Sequence, residues 1–139
     1  MNQNLIFWPM MVQALMSIWV YIPMGRARIS SVKSGKASAY DFKLPKQNEP
    51  GEIAHLGNAV SNQFELPVLF FVVCLATHSA GLVDGPMLVA AWFFAILKAV
   101  HSTIHITSNK LKYRFRLFSA SLFVVLAMWI WFAIRLVAA

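Results

Sequence analysis

Charge is scarce in this chain. Asp, Glu, Lys and Arg make up 12% of its 139 residues, about half the share of an ordinary soluble domain. Acidic residues are fewest, five against twelve Lys and Arg, for a net charge of +7. In a soluble protein such an excess points to nucleic acid. Where 59% of residues are hydrophobic, basic residues instead mark cytoplasmic loops and meet anionic lipid heads, so no nucleic-acid partner is expected. There is one cysteine, Cys74, which excludes an intrachain disulfide. It sits in the apolar run LPVLFFVVCLAT and reads as a small core residue. Short segments of alternating polarity, which a membrane β-barrel needs, are absent. The opening MNQNLIF has no basic n-region and no cleavage pattern after its apolar run, so the first segment is expected to be a retained helix.

What the chain has is four long apolar blocks, each near the roughly 20 residues that span a bilayer. The expected spans are about 5–24, 53–80, 87–108 and 116–138, with loops at 25–51 and 109–115. The fold class is an all-α membrane protein, a single domain of four transmembrane helices. Pro9 and Pro23 lie near the ends of the first span, where proline costs least, and Gln13 is its only strongly polar residue. Pro67 lies inside the second span and is expected to kink it. The fragment KLPKQNEPG has turn residues and no periodicity, so it reads as loop. Ten of the twelve basic residues fall in the two loops or at their edge: Arg26, Arg28, Lys33, Lys36, Lys43 and Lys46, then Lys110, Lys112, Arg114 and the adjoining Arg116. The positive-inside rule places those loops in the cytoplasm and both termini outside, in the cell (inner) membrane.

Ionisable groups within a membrane span are costly and face the bundle interior. Here they are patterned. His55, Asn58, Asn62 and Glu65 recur at helical spacing on the second span, and Lys98, His101, His105 and Asn109, with Ser102 beside them, on the third. Glu65 and Lys98 each lie roughly 15–20 Å along their helices from the basic end. They are expected to approach each other or to share a polar network. Losing one would then leave the other charge buried and unpaired. His101 and His105, at i and i+4, can also ligate a metal with Glu65 or His55. The lack of a further acidic or cysteine cluster argues against a metal.

Two segments carry a resemblance. NAVSNQFELPVLFF holds Asn62, Glu65 and Pro67 as Asn-x-x-Glu followed by proline, and LKAVHSTIHITSNKLKYRFRLF holds His101, a polar residue four later and a basic residue nine beyond that. In these motifs and in its hydropathy layout the chain resembles a bacterial member of the membrane-associated proteins in eicosanoid and glutathione metabolism, the MAPEG family. The resemblance implies a homotrimer with glutathione, or another low-molecular-weight thiol, bound between subunits as co-substrate. It also implies transferase or peroxidase chemistry on a lipophilic small molecule. By the same resemblance Asn62, Glu65, Lys98, His101, His105 and Arg28 form the thiol-binding set, with Glu65 on the glutathione ammonium. Arg114, or alternatively Arg116, stabilises the thiolate. The chain departs from the family pattern at three positions. Asn58 and Lys98 stand where relatives commonly have arginine, and His105 where several have tyrosine. Lysine loses bidentate carboxylate recognition, and histidine is titratable where tyrosine is a neutral donor. A weakened ligand set favours the alternative, a non-catalytic lipid-binding or scaffold member of the same fold.

Overall fold

A computed structural model describes residues 1–43 and 50–139, apart from the Glu52 side chain. The stretch 44–49, with Lys46 and most of KLPKQNEPG, lies outside the described residues. Among those described, the elements are α1 (Phe7–Trp19), α2 (Tyr21–Lys33), α3 (Gly51–Asn62), α4 (Leu66–Ser79), α5 (Gly85–Ile106) and α6 (Leu111–Ala138), with single 3-10 turns at Gln3–Ile6 and Ala39–Phe42. Four helical stretches are long and apolar enough to cross a membrane: Gln3–Lys33, Ile53–Ser79, Gly85–Ile106 and Leu111–Ala138.

The first stretch is nearly continuous. Pro23 has no N–H to offer the carbonyl one turn back, and the helix is interrupted close to that point, at Val20, which keeps helical torsions (φ −62°, ψ −23°). Residues 25–33, expected to be loop, are helical through Lys33. At 31 residues the stretch is roughly 46 Å long against a ~30 Å hydrocarbon core, so its basic last turns can project into the headgroup region. Its end is chemical: Gly35 takes φ 72°, and Lys36 and Gly35 donate to the carbonyls of Ser31 and Val32 at 3.0 and 3.1 Å. Gly81, at φ 69°, ends α4 in the same way.

The second stretch breaks rather than bends. Gln63, Phe64 and Glu65 separate α3 from α4, and Pro67 stands in the first turn of α4, where its missing N–H has no helical partner to lose. The third stretch ends at Ile106, earlier than expected. Asn109, placed by spacing on the polar face of that helix, lies instead in the connection at φ 49°. This is a left-handed conformation that asparagine tolerates, and it turns the chain into α6. The basic segment expected as loop to residue 115 is helical from Leu111.

The interior has two halves. Toward the termini the core is apolar: Phe70, Val73, Cys74, Met87, Ala91, Phe94, Val125 and Met128 are buried, with Phe70 and Phe94 stacked at 4.4 Å. Toward the basic end the buried side chains include a polar group: Gln63, Lys98, His101, Ser102 and His105. The outward faces are apolar, with Leu15, Ile18, Val89, Phe93 and Phe123 more than half exposed, as lipid contact requires. At the terminal end Gln3 exchanges two hydrogen bonds with the Val83 backbone, at 2.8 and 3.2 Å. Asp84 caps α5 by accepting from the Met87 N–H at 3.0 Å. The same carboxylate accepts from Trp131 Nε1 at 3.1 Å and meets Arg135 Nε at 3.3 Å, tying α6 to α5.

Asp84→Ala removes a cap and a cross-helix anchor together. It is expected to lower unfolding stability in detergent by about 1–2 kcal/mol. Arg135→Gln, whose side chain is 44% exposed, is expected to cost less than about 1 kcal/mol. Equal losses in the two variants, by thermal or chemical unfolding, contradict this assignment.

Candidate functional site

Among the described residues Lys98 is the most deeply buried charge. It sits on the face of α5 that carries Phe94, Ala91, His101 and His105 inward, and none of its surface is exposed. A bare ammonium there is prohibitively costly. Its Nζ donates to Asn62 Oδ1 at 2.7 Å and lies 5.9 Å from the centre of the Phe118 ring. Asn62 in turn donates from Nδ2 to Glu65 Oε2 at 3.2 Å. The amide thus relays a cation to a carboxylate that it does not touch.

Glu65 is exposed, so only one of the two charges is deeply sunk, unlike the paired burial expected from spacing. The cause is the break after α3. Glu65, at φ −100° and ψ −102°, lies outside the helical well, and its side chain is exposed while it still accepts from Asn62.

A hollow of about 250 Å³ opens beside this relay, lined by Asn62, Glu65, His101, Leu111, Arg114, Phe115 and Phe118. Its far wall is the first turns of α6, brought in by the reversal at Asn109. Arg114 donates from Nη1 to Asn109 Oδ1 at 2.7 Å, while its Nε is buried without a partner. The Arg114 carbonyl lies 3.1 Å from His101 Nδ1. A carbonyl can only accept, so Nδ1 carries the proton and Nε2 is the ring's free acceptor. His105 meets His101 edge-on at 5.7 Å, and neither of its ring nitrogens has a partner. The hollow is therefore lined by a carboxylate, an arginine and one imidazole, with the unpartnered His105 packed against that imidazole.

The structure brings Asn62, Glu65, Lys98, His101, His105 and Arg114 together at this place. Arg116 is exposed and does not line it. Arg28 lies in a separate groove with Ile29, Val32, Lys33, Ala39 and Phe42, its guanidinium 5.2 Å over the Phe42 ring. Asn58 is exposed. Among the described residues no three of His, Cys, Asp and Glu converge as metal ligands would.

A second buried polar set was not anticipated. Gln63 joins Ser102 on α5 at 2.8 Å and Gln13 on α1 at 3.2 Å. Adjacent helical residues point about 100° apart, and Gln63 does not line the hollow that Asn62 lines. The presence of Gln13 and Gln63 in separate apolar spans was the available signal for a second contact.

Glu65→Gln leaves Lys98 buried with no counter-charge and is expected to lower stability by about 1–2 kcal/mol. Lys98→Met replaces that charge with apolar volume and is expected to stay within about 1 kcal/mol of the parent. Unfolding in detergent distinguishes the two, and the reverse order contradicts the relay.

No curated protein and no solved structure matches the chain. The MAPEG family model matches residues 6–134. With four membrane-spanning helical stretches and Asn62, Glu65 and His101 around one hollow at the basic end, the chain belongs to the MAPEG family and is a multi-pass membrane protein.

Proposed function

We propose that the hollow is one wall of a glutathione site, and that the protein is a membrane transferase or peroxidase acting on lipophilic electrophiles. The observation that carries this reading is that Glu65 and Arg114 line one hollow beside the Lys98–Asn62 pair. Glutathione bears two carboxylates and one ammonium. Glu65 is a complement for the ammonium, and Arg114 and Lys98 supply positive potential for the anionic groups. The unpartnered nitrogens of His101, His105 and Arg114 are hydrogen-bonding capacity that a polar ligand can use.

Size supports a shared site. At about 250 Å³ the hollow falls short of the roughly 300–1,000 Å³ that enclose a small-molecule ligand, as expected where a neighbouring subunit of a homotrimer supplies the opposite wall. Arg28, placed away from this wall, belongs to such a site only as a contribution from a neighbour. The excess of Lys and Arg at this end favours the cytoplasmic face of the cell membrane.

The chemistry asked of the residues is modest. Arg114, beside the sulfur, favours the thiolate over the thiol, and the displaced proton leaves to water. The thiolate pair then forms a C–S bond to an electrophilic carbon, and the leaving group departs with its electrons. With a peroxide, sulfur attacks oxygen and the O–O bond breaks. The alcohol is released, and a second thiol reduces the oxidised sulfur to disulfide and water.

The alternative, a lipid-binding or scaffold member of the fold, is favoured by a different feature. An apolar groove of about 600 Å³ runs along α1 and the start of α2, lined by Val12, Leu15, Met16, Ile18, Trp19 and Ile22 with Thr103 of α5. Purified protein in detergent separates the readings. Glutathione is expected to raise its melting temperature and to be conjugated to a lipophilic electrophile. Arg114→Ala is expected to lower kcat/KM by about 10²–10³, and Arg116→Ala by less than about threefold. Absence of both stabilisation and conjugation overturns the enzyme reading.

A further inference from the structure

Asn62 is the last residue of α3 and Glu65 the last of the break before α4, so the placement of both depends on what holds that break. Its own backbone holds it on one side. The N–H groups of Gln63 and Phe64 close on the carbonyls of Val60 and Ser61 at 2.9 Å, extending α3 by a tight turn. On the other side Glu65 makes no side-chain cap for α4, and Pro67 cannot donate back to the Gln63 carbonyl. Rotation about residues 64 and 65 would carry Glu65 away from Asn62.

Of the three break residues, Phe64 and Glu65 are exposed and Gln63 is 2% exposed. Gln63 is not part of the hollow's lining. Its Nε2 donates to Ser102 Oγ at 2.8 Å and to the Ala59 carbonyl at 3.4 Å. Its Oε1 accepts from Gln13 Nε2 at 3.2 Å and from Ser17 Oγ at 3.5 Å. One side chain therefore pins the break to α5 and to α1 at once. The α5 anchor, Ser102, adjoins His101 and lies one turn beyond Lys98, so the pin has its footing beside the groups whose spacing matters.

We infer that Gln63 is a positioning residue: by tying the α3–α4 break to Ser102, Gln13 and Ser17 it sets where Asn62 meets Lys98 and where Glu65 faces the hollow. The tie stands on geometry alone, and its effect on turnover rests on the glutathione reading. In an apolar surround, interhelical hydrogen bonds of this kind have no water to replace them, so loosening at the break is not compensated locally.

The test has two arms on detergent-purified protein. In the first, Gln63→Leu keeps the volume and removes the bonds. It is expected to raise the KM for glutathione about tenfold while kcat falls less than about threefold. Ser102→Ala is expected to raise KM about threefold, and adding it to Gln63→Leu to change nothing further, because both remove one tie. In the second arm, a fluorinated thiol label is placed at Phe64→Cys in a Cys74→Ala background, without glutathione. It is expected to give one 19F resonance in the parent and several, or one broadened line, with Gln63→Leu. If Gln63→Leu fails to fold, Ser102→Ala and Gln13→Leu carry both arms. An unchanged KM with a single unshifted resonance overturns the inference, as does a fall in kcat with KM unaltered. If the parent shows no glutathione turnover or binding, the glutathione reading fails, and the label alone upholds or overturns the tie.

Discussion

A cation with none of its surface exposed, inside a bundle whose outer faces are apolar, must be satisfied from within. Much of the protein's organisation at the basic end follows from meeting that requirement for Lys98. A direct carboxylate partner would place two ions in the low-dielectric interior, where desolvation can exceed attraction. The protein instead interposes Asn62, which accepts from the ammonium and donates to Glu65. The carboxylate stays at the hollow, where solvent or ligand can reach it, while its field still extends to the buried charge.

That arrangement demands a helix that stops. On an unbroken helix Asn62 and Glu65 would lie on one face with both side chains inward. The break at Gln63–Glu65 leaves Glu65 exposed while Asn62 still reaches it, and Pro67 gives the chain a clean restart in the first turn of α4. The second buried polar set, from Gln13 through Gln63 to Ser102, holds the broken segment against α1 and α5. Polar material therefore gathers at the basic half of the interior. The other half is closed by apolar packing around Phe70 and Phe94 and by the Asp84 anchor.

Much of the fold was readable because lipid imposes a coarse rule: a span must be long, apolar and helical. Four blocks meeting that rule are hard to mistake. The ends were harder. Residues 25–33 and 111–115 are helical, yet their basic side chains read as loop, because hydropathy reports where the hydrocarbon stops and not where the helix does. Asn109 shows the converse error. Helical spacing from Lys98 put it on a face, but its backbone torsion ends the helix, and spacing carries no information on torsion. At the site, helical periodicity grouped Asn62, Lys98, His101 and His105, because one face of each of two helices suffices to bring them together. Arg114 came from a motif and not from periodicity. The exposure of Glu65 was invisible, because it depends on a break that periodicity assumes away.

What the residues determined without any coordinates is the class of structure and the existence of a polar seam. Burial of charge in a bilayer is so costly that polar groups in apolar spans must face one another. What required the tertiary structure is which of those groups touch. The Lys98–Asn62–Glu65 relay, the reversal that turns Arg114 toward it, and the tie through Gln63 depend on torsions at residues 63–65 and 109. Those torsions are selected by contacts between helices far apart in the chain, and no local pattern encodes them.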